Sequence, residues 1–286
     1  MDLWVWLDGR VTSAADAKIG VLDHGFLYGD SIYETLRTHD GRLFRLAAHL
    51  QRLEASAAGI GLVLPWSRAE LTEILGTMTA RAPAGRDVGL RLIVTRGEGA
   101  IGLDPALCPH PRLIVLAWPI VRGDHPLAAG GAEIIVAKIR RNPPSALDPQ
   151  IKSGNFLNNI LAYREVVAVG AFEGILLTVE GAVAEGTTSN IFWASKGEVR
   201  TAEDRGILLG VTRSTVLEIL AAERIPSRLG AFPPEDLRGA DEVFLTSTLK
   251  GILPVKRVDD ARFPVPGALT ARIARAYRAR IAQGGE

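Results

Sequence analysis

Short blocks of apolar residues, broken by paired turn residues, dominate the first third of the chain. Residues 3–7 and 11–13 read as strands around Asp8-Gly9, a two-residue hairpin signal. Residues 31–38 and 42–44 flank a second such turn, Asp40-Gly41. The period then changes: Leu46, Leu50, Leu53 and Ala57 recur at helical spacing over 45–58, with Gly59 as the stop. Ser67 reads as the N-cap of a second helix, and Glu70 three residues on completes a capping box. Residues 88–95 and 112–118 read as strands.

The stretch 119–131 mixes Pro, Gly, His and small residues and reads as an interdomain linker. Beyond it the pattern predicts a strand over 133–139, an apolar helix over 153–169, and three strand-like pieces turning at Glu180-Gly181 and Lys196-Gly197. A helix over 211–222 is entered through Gly210, a strand follows over 242–246, and an Arg-rich helix covers 269–282. Hairpins mixed with helices predict two α+β domains, 1–118 and a larger 132–286, rather than a regular βαβ winding.

Composition narrows the function classes. Lys+Arg number 33 against 32 Asp+Glu, a net charge of +1, so nothing in the charge favours nucleic acid or a membrane surface. The densest apolar run, 113–121, contains Pro119 and falls short of the roughly 18–20 residues of a membrane span. The opening MDLWVWLDGR has an acid at Asp2 and lacks a basic, then long apolar, leader pattern. A single cysteine, Cys108, cannot form an internal disulfide; together these readings predict a cytoplasmic protein. Of the 33 basic residues 27 are Arg and 6 are Lys, which makes a Lys in apolar surroundings conspicuous.

Several motifs offer chemistry. Gly97-Glu98-Gly99-Ala100-Ile101-Gly102 matches the dinucleotide GxGxxG pattern and follows a predicted strand. That pattern needs a helix immediately after it, and Pro105, Pro109 and Pro111 stand where the helix would run. It reads as a glycine-rich loop. Cys108 and His110 lack the further ligands of a metal site, and no metal is predicted. Lys152 opens IKSGNFLNNILA, where Ile151, Phe156 and Leu157 would desolvate an ammonium and favour the free amine a Schiff-base lysine needs. A lysine capping a helix start fits the spacing as well. Arg45, after a hairpin and at a helix start, suits phosphate. The Gly210-Val211-Thr212 run offers free N–H groups and a hydroxyl at a helix N-terminus. Glu185 ends a strand-like piece beside small and hydroxyl residues. Taken together these supply what pyridoxal phosphate requires: a lysine for the aldehyde, cationic and dipolar partners for the phosphate, and a carboxylate for the ring nitrogen.

In this order the segments resemble the fold-type IV pyridoxal-phosphate enzymes: branched-chain aminotransferases, D-amino acid aminotransferases and aminodeoxychorismate lyases. HGFLYGDSIYETLR is similar to that family's substrate-side segment, and LFRLAAHLQRL to its phosphate-arginine helix. RRNPPSALDPQIKSGNFLNNILA resembles its lysine segment, VAEGTTSNIF its ring-nitrogen segment, ILLGVTRSTVLEI its phosphate cup and FLTSTLKGILPV its last loop. The resemblance implies the two-domain, mixed α+β architecture of the D-amino acid aminotransferase type. It puts catalysis on Lys152 and cofactor contacts on Arg45, Lys152, Glu185, Thr187, Leu208, Val211, Thr212 and Thr248. Substrate contacts fall on Tyr28, Tyr33, Arg91, Phe156 and Leu249. The implied reaction is transamination between an amino acid and a 2-oxo acid in a homodimer or higher homo-oligomer.

TRGEGAIGLDP and SGNFLNN are most similar to the prokaryotic branched-chain branch, and the Arg/His carboxylate trap of the D-amino acid enzymes is replaced by Ile101 and Leu103. Three departures keep alternatives open. Gly89 stands where branched-chain enzymes often carry a Tyr, TTSN replaces their usual run, and Lys250-Gly251 replace small and acidic residues. A transaminase for D-amino acids or (R)-amines is the first alternative and aminodeoxychorismate lyase the second. Lys250 reads equally as a contact for an acidic substrate or as a solvated side chain.

Overall fold

The computed structural model describes residues 3–284; Asp2, the acid noted in the opening segment, lies outside them. The chain forms two compact units. The first runs to Gly123 and takes back Ile151–Asn155, and the second comprises Asp124–Gln150 and Phe156–Gln283.

In the first unit, β1 (Trp4–Leu7) and β2 (Arg10–Ser13) form the expected hairpin. Asp8 and Gly9 both adopt positive φ (50° and 82°), the geometry that matches strand twist. α1 (His24–Tyr28) precedes β3 (Ser31–His39), which turns at Asp40-Gly41 into β4 (Arg42–Leu43). α2 (Leu46–Gly59) and α3 (Arg68–Thr79) follow, the latter with the predicted Ser67/Glu70 capping box. β5 (Arg86–Thr95) and β6 (Arg112–Val121) complete a six-stranded antiparallel sheet, β2-β1-β6-β5-β3-β4. Its inner face presents Ile32, Leu36, Leu90 and Leu92 to Leu50, Leu53 and Leu75 of the two helices, forming the core.

Two expectations are corrected here. β6 does not end at Trp118 but continues through Pro119 to Val121, inside the expected linker. β1 pairs only with residues 114–117, so beyond Ala117 that edge of β6 demands no N–H and the proline is tolerated. The apolar helix expected from residue 153 starts only at Leu157. The four preceding residues are held elsewhere: Ser153 bridges Ile32 of β3, and Gly154 N–H donates to Ser31 O at 2.8 Å. Residues 151–155, expected in the C-terminal domain, thus belong to the first unit.

The second unit is built on β7 (Ala132–Arg140), α4 (Leu157–Ala168), β8 (Glu173–Leu177), β9 (Val183–Gly186), β10 (Asn190–Ser195), β11 (Glu198–Ala202) and α5 (Val211–Ala222). β12 (Ser227–Gly230), α6 (Pro234–Arg238), β13 (Glu242–Ser247), β14 (Gly251–Val258), β15 (Ala261–Arg262) and α7 (Ala268–Ala282) follow. The sheet order is β12-β11-β10-β13-β14-β7-β8-β9, with β15 on β14. β7 is parallel to both neighbours, while β10, β13 and β14 pair antiparallel, so the sheet is mixed. Ile134, Ile175, Trp193, Leu245 and Leu253 form its core. Among the described residues no helix is long and apolar enough to cross a membrane.

Candidate active site

Lys152 does not cap a helix. It stands five residues before α4, on the segment that docks along β3. Tyr33 N–H donates to Lys152 O at 2.9 Å, and Lys152 N–H donates to Ser56 Oγ at 3.1 Å. Its neighbour Ile151 packs on the core of the first unit, against Gly59. This fixes the backbone on both sides and aims the amine: Nζ donates to Tyr33 Oη at 3.0 Å, 4.3 Å from the ring centroid. The Arg91 guanidinium lies over the same ring, 4.6 Å from its centroid. Three of the expected residues, Lys152, Tyr33 and Arg91, therefore meet around one phenol. Tyr28 is elsewhere, on α1, where its hydroxyl accepts from Gly102 N–H at 3.2 Å.

Behind Tyr33, on the opposite face of β3, sits a buried acid. Glu34 accepts from His49 Nδ1 at 2.8 Å and from Arg52 Nε and Nη2 at 2.7 and 2.8 Å. Burial pushes its carboxyl up, but the Arg52 charge and the two partners' hydrogen bonds pull it well below the usual carboxylate range. Burial lowers His49 more than Glu34 raises it, with the Arg52 and Lys152 charges adding to the fall, so its imidazole is neutral and Nδ1 carries the proton. Arg45 does not begin α2 in helical conformation. It is the residue before it, at φ 56° and ψ 38°, a left-handed geometry costly for a side chain with a Cβ and characteristic of functional positions.

In the second unit Glu185 ends β9, and its side chain is buried. Oε1 accepts from Arg141 Nε at 2.7 Å; Oε2 accepts from Leu208 N–H at 3.0 Å and Asn190 Nδ2 at 3.3 Å. Asn190 Nδ2 also donates to Leu208 O at 2.9 Å. Arg141 was missed in the sequence. It follows exposed Arg140, and only the end of the strand turns it inward. Next to this cluster α5 opens at Gly210 without a side-chain cap, and Val211 and Thr212 are buried there. A Cβ on Gly210 would strike Asn190 Oδ1, so the approach requires glycine. On β13, paired with Asn190, Thr246 carries a buried hydroxyl with no partner among the described residues. Thr248 and Leu249 lie in the following turn, half-buried.

Lys250 is not a freely solvated side chain, which corrects that reading of it. Its Nζ donates to Glu173 Oε2 and to Thr188 Oγ1, each at 2.7 Å, and lies over the Phe172 ring. Glu173 also accepts from Thr187 N–H and hydroxyl, Thr188 Oγ1 at 2.8 Å and Ser189 Oγ at 3.1 Å. The expected cofactor contact Thr187 thus spends its hydroxyl on Glu173. Burial raises the Glu173 carboxyl, but the Lys250 charge, its hydrogen bond and the hydroxyls outweigh it, leaving the group below its ordinary value. Phe156, at the start of α4, lines an apolar groove of about 540 Å³ with Ile160, Tyr163 and Val167.

The Gly97–Gly102 run is a loop followed by a single 3-10 turn, Pro105–Leu107, and not by the α-helix a dinucleotide site needs. Cys108 is buried, which raises its thiol, and among the described residues no group of metal-binding side chains assembles.

The model of the class IV amino-transferase family matches residues 31–258. A putative branched-chain-amino-acid aminotransferase of Methanocaldococcus jannaschii is 37% identical over 256 residues, spanning 89% of this chain and 88% of the relative. The D-alanine aminotransferase of Bacillus licheniformis is 32% identical over 97% of this chain and 96% of its own. Among solved structures, the T.th. branched-chain amino acid aminotransferase complexed with N-(5'-phosphopyridoxyl)-L-glutamate superposes with a TM-score of 0.89. It is 28% identical and covers 98% of this chain and 94% of its own.

Proposed function

The chain belongs to the class IV aminotransferases, and from that premise we propose that it exchanges amino groups between branched-chain amino acids and 2-oxo acids, with Lys152 as its catalytic lysine. Its cofactor is pyridoxal 5'-phosphate. The donor sets suit that group. In the second unit the uncapped start of α5 beside buried Thr212 suits a phosphate, and the triply held Glu185 suits a protonated ring nitrogen; in the first, Arg45 offers a cation. When bound, the cofactor supplies an electrophilic carbon and a pyridinium ring that accepts electrons from the substrate Cα.

The chain's own part is proton transfer and positioning. Lys152 Nζ would take the substrate Cα proton as a base and give a proton back as an acid. Tyr33 Oη aims that amine and, as an acceptor, steadies it when charged. Arg141, Asn190 and the Leu208 N–H fix the orientation of the Glu185 side chain, which would face the ring nitrogen of the bound cofactor. Arg91 takes the substrate carboxylate, beside the ring that holds the lysine. The Tyr33 ring suits an aliphatic side chain.

The carrying observation is the meeting of the Lys152 amine and the Arg91 cation on one Tyr33 ring. Lys152→Ala is expected to lose both the visible cofactor absorbance that borohydride bleaches and transamination; full turnover by that variant would sink the assignment. Gly89, which lacks the tyrosine of branched-chain enzymes, favours a second reading as a transaminase for D-amino acids or (R)-amines. Half-reactions with L-leucine, L-glutamate, D-alanine, D-glutamate and an (R)-amine, read as loss of the absorbance band, separate the two. A cytoplasmic homodimer completes the proposal. The lone cysteine supports the compartment, and the exposed Leu157, Ile160 and Val167 of α4 support a covered face.

A further inference from the structure

On the face of the first sheet opposite its core, three strands align side chains in rows. Tyr33, Ile93 and Ile114 form one row, Thr35, Arg91 and Leu116 the next, and Arg37, Gly89 and Trp118 the third. The first row holds the Lys152 amine through Tyr33, and the second leans Arg91 onto the same ring. In the third row the middle position has no side chain. A Cβ built on Gly89 would lie 2.6 Å from Cε2 and 2.7 Å from both Cζ2 and Nε1 of Trp118. The indole therefore lies across the glycine and fills the volume that a side chain at 89 would take.

This arrangement leaves a donor in place of the missing residue. Trp118 is half-buried, and its Nε1–H meets no acceptor among the described residues. An indole N–H can only donate, and one at a partly buried position normally finds a partner. In the same row, Arg37 Nη2 donates to Val121 O at 3.3 Å and Gly123 O at 2.8 Å. Positions 89 and 91 are ~6.7 Å apart along one face of a strand, so the Trp118 indole and Arg91 stand in neighbouring rows of that face. Arg91 alone does not saturate a carboxylate, which has about four acceptor sites.

We propose that Trp118 is a substrate-binding residue whose Nε1–H donates to the substrate carboxylate beside Arg91, doing from β6 what a polar side chain at position 89 would do from β5. The inference rests on the carboxylate-binding role given to Arg91. It makes the chain select carboxylate-bearing donors with one cation and one neutral N–H. It also explains why position 89 is glycine, because any larger residue displaces the donor.

Trp118→Phe removes the indole N–H together with the ring atoms that lie over Gly89, so the thermal midpoint is needed to read the packing part of the loss. The holoenzymes of wild type, Trp118→Phe and Arg91→Gln are titrated calorimetrically with 4-methylpentanoate, a carboxylate without an amine. KM and kcat are measured with L-leucine and with (R)-1-phenylethylamine, and thermal midpoints are recorded alongside. Trp118→Phe is expected to bind the carboxylate ~10-fold more weakly, the loss of one hydrogen bond to a charged group. KM for L-leucine is expected to rise more than KM for the amine, with the cofactor absorbance retained. If Arg91→Gln weakens binding and Trp118→Phe does not, the inference is overturned while the carboxylate site stands. If neither variant weakens it, or wild type binds no 4-methylpentanoate, the role of Arg91 falls and the inference with it.

Discussion

Removing the Lys250 ammonium while leaving Glu173 in place is the sharpest test of the second unit's electrostatics. The Glu173 side chain is 1% exposed and that of Lys250 16%, so Lys250→Met strands a buried carboxylate. Breaking such a pair from one side costs about 3–5 kcal/mol. Glu173 keeps the Thr187, Thr188 and Ser189 donors, which places the loss at the lower end, about 3 kcal/mol. At roughly 2–4 °C per kcal/mol for a unit of this size, the thermal midpoint of the holoenzyme falls by about 6–12 °C at pH 7. The sign with pH follows from the carboxyl lying below its ordinary value. In wild type its contribution is present above the usual carboxylate range and is lost as pH falls through the depressed value. The variant loses the main lowering cause, so its carboxyl takes up a proton at higher pH and its deficit narrows on moving from pH 7 towards 5. Glu173→Gln added to Lys250→Met removes the stranded charge and regains part of the loss, a coupling that a double-mutant cycle reads directly. Melting followed by circular dichroism at saturating cofactor suffices. A midpoint within about 1 °C of wild type for Lys250→Met would refute the reasoning.

Two further outcomes follow from the same kind of geometry. Glu34→Gln leaves Arg52 and His49 facing a neutral amide at a buried position and is expected to cost about 2–4 kcal/mol in urea unfolding at pH 7. The wild-type carboxyl is held far below its unfolded value, so the gap between the two proteins closes as pH is lowered below ~4; a pH-independent gap contradicts the assignment. Gly210→Ala drives a methyl group into Asn190, which holds both Glu185 and the Leu208 carbonyl at the start of α5. It should weaken cofactor binding about tenfold, measured by absorbance titration of the apo form, and unchanged affinity would remove α5 from the phosphate site.

What the sequence made legible was local. Asp8-Gly9 and Asp40-Gly41 announce hairpins because consecutive left-handed residues are needed there, and the Ser67/Glu70 box closes within one helical turn. The lysine segment was legible as chemistry but not as structure. Its apolar neighbours predicted a helix from 153, whereas β3 captures its backbone first, a competition that no local pattern records. Arg141 was invisible for the same reason: it reaches Glu185 across 44 positions, and adjacent Arg140 is its equal in sequence.

The scarcity of lysine in this Arg-rich chain points to catalysis at only one of the places where lysine is kept. At least two of the six lysines sit in tight surroundings. Lys152 Nζ rests on a phenol that demands no charge, and Lys250 Nζ fits between a carboxylate and a hydroxyl, each at 2.7 Å. The second site holds a compact ammonium between a carboxylate and a hydroxyl, over the Phe172 ring. The first calls for a cation that can lose its proton, which arginine cannot do. Scarcity therefore marks places where size or deprotonation matters, and only the partners distinguish the two. At Lys250 the ammonium meets a carboxylate, and at Lys152 the amine meets the Tyr33 phenol.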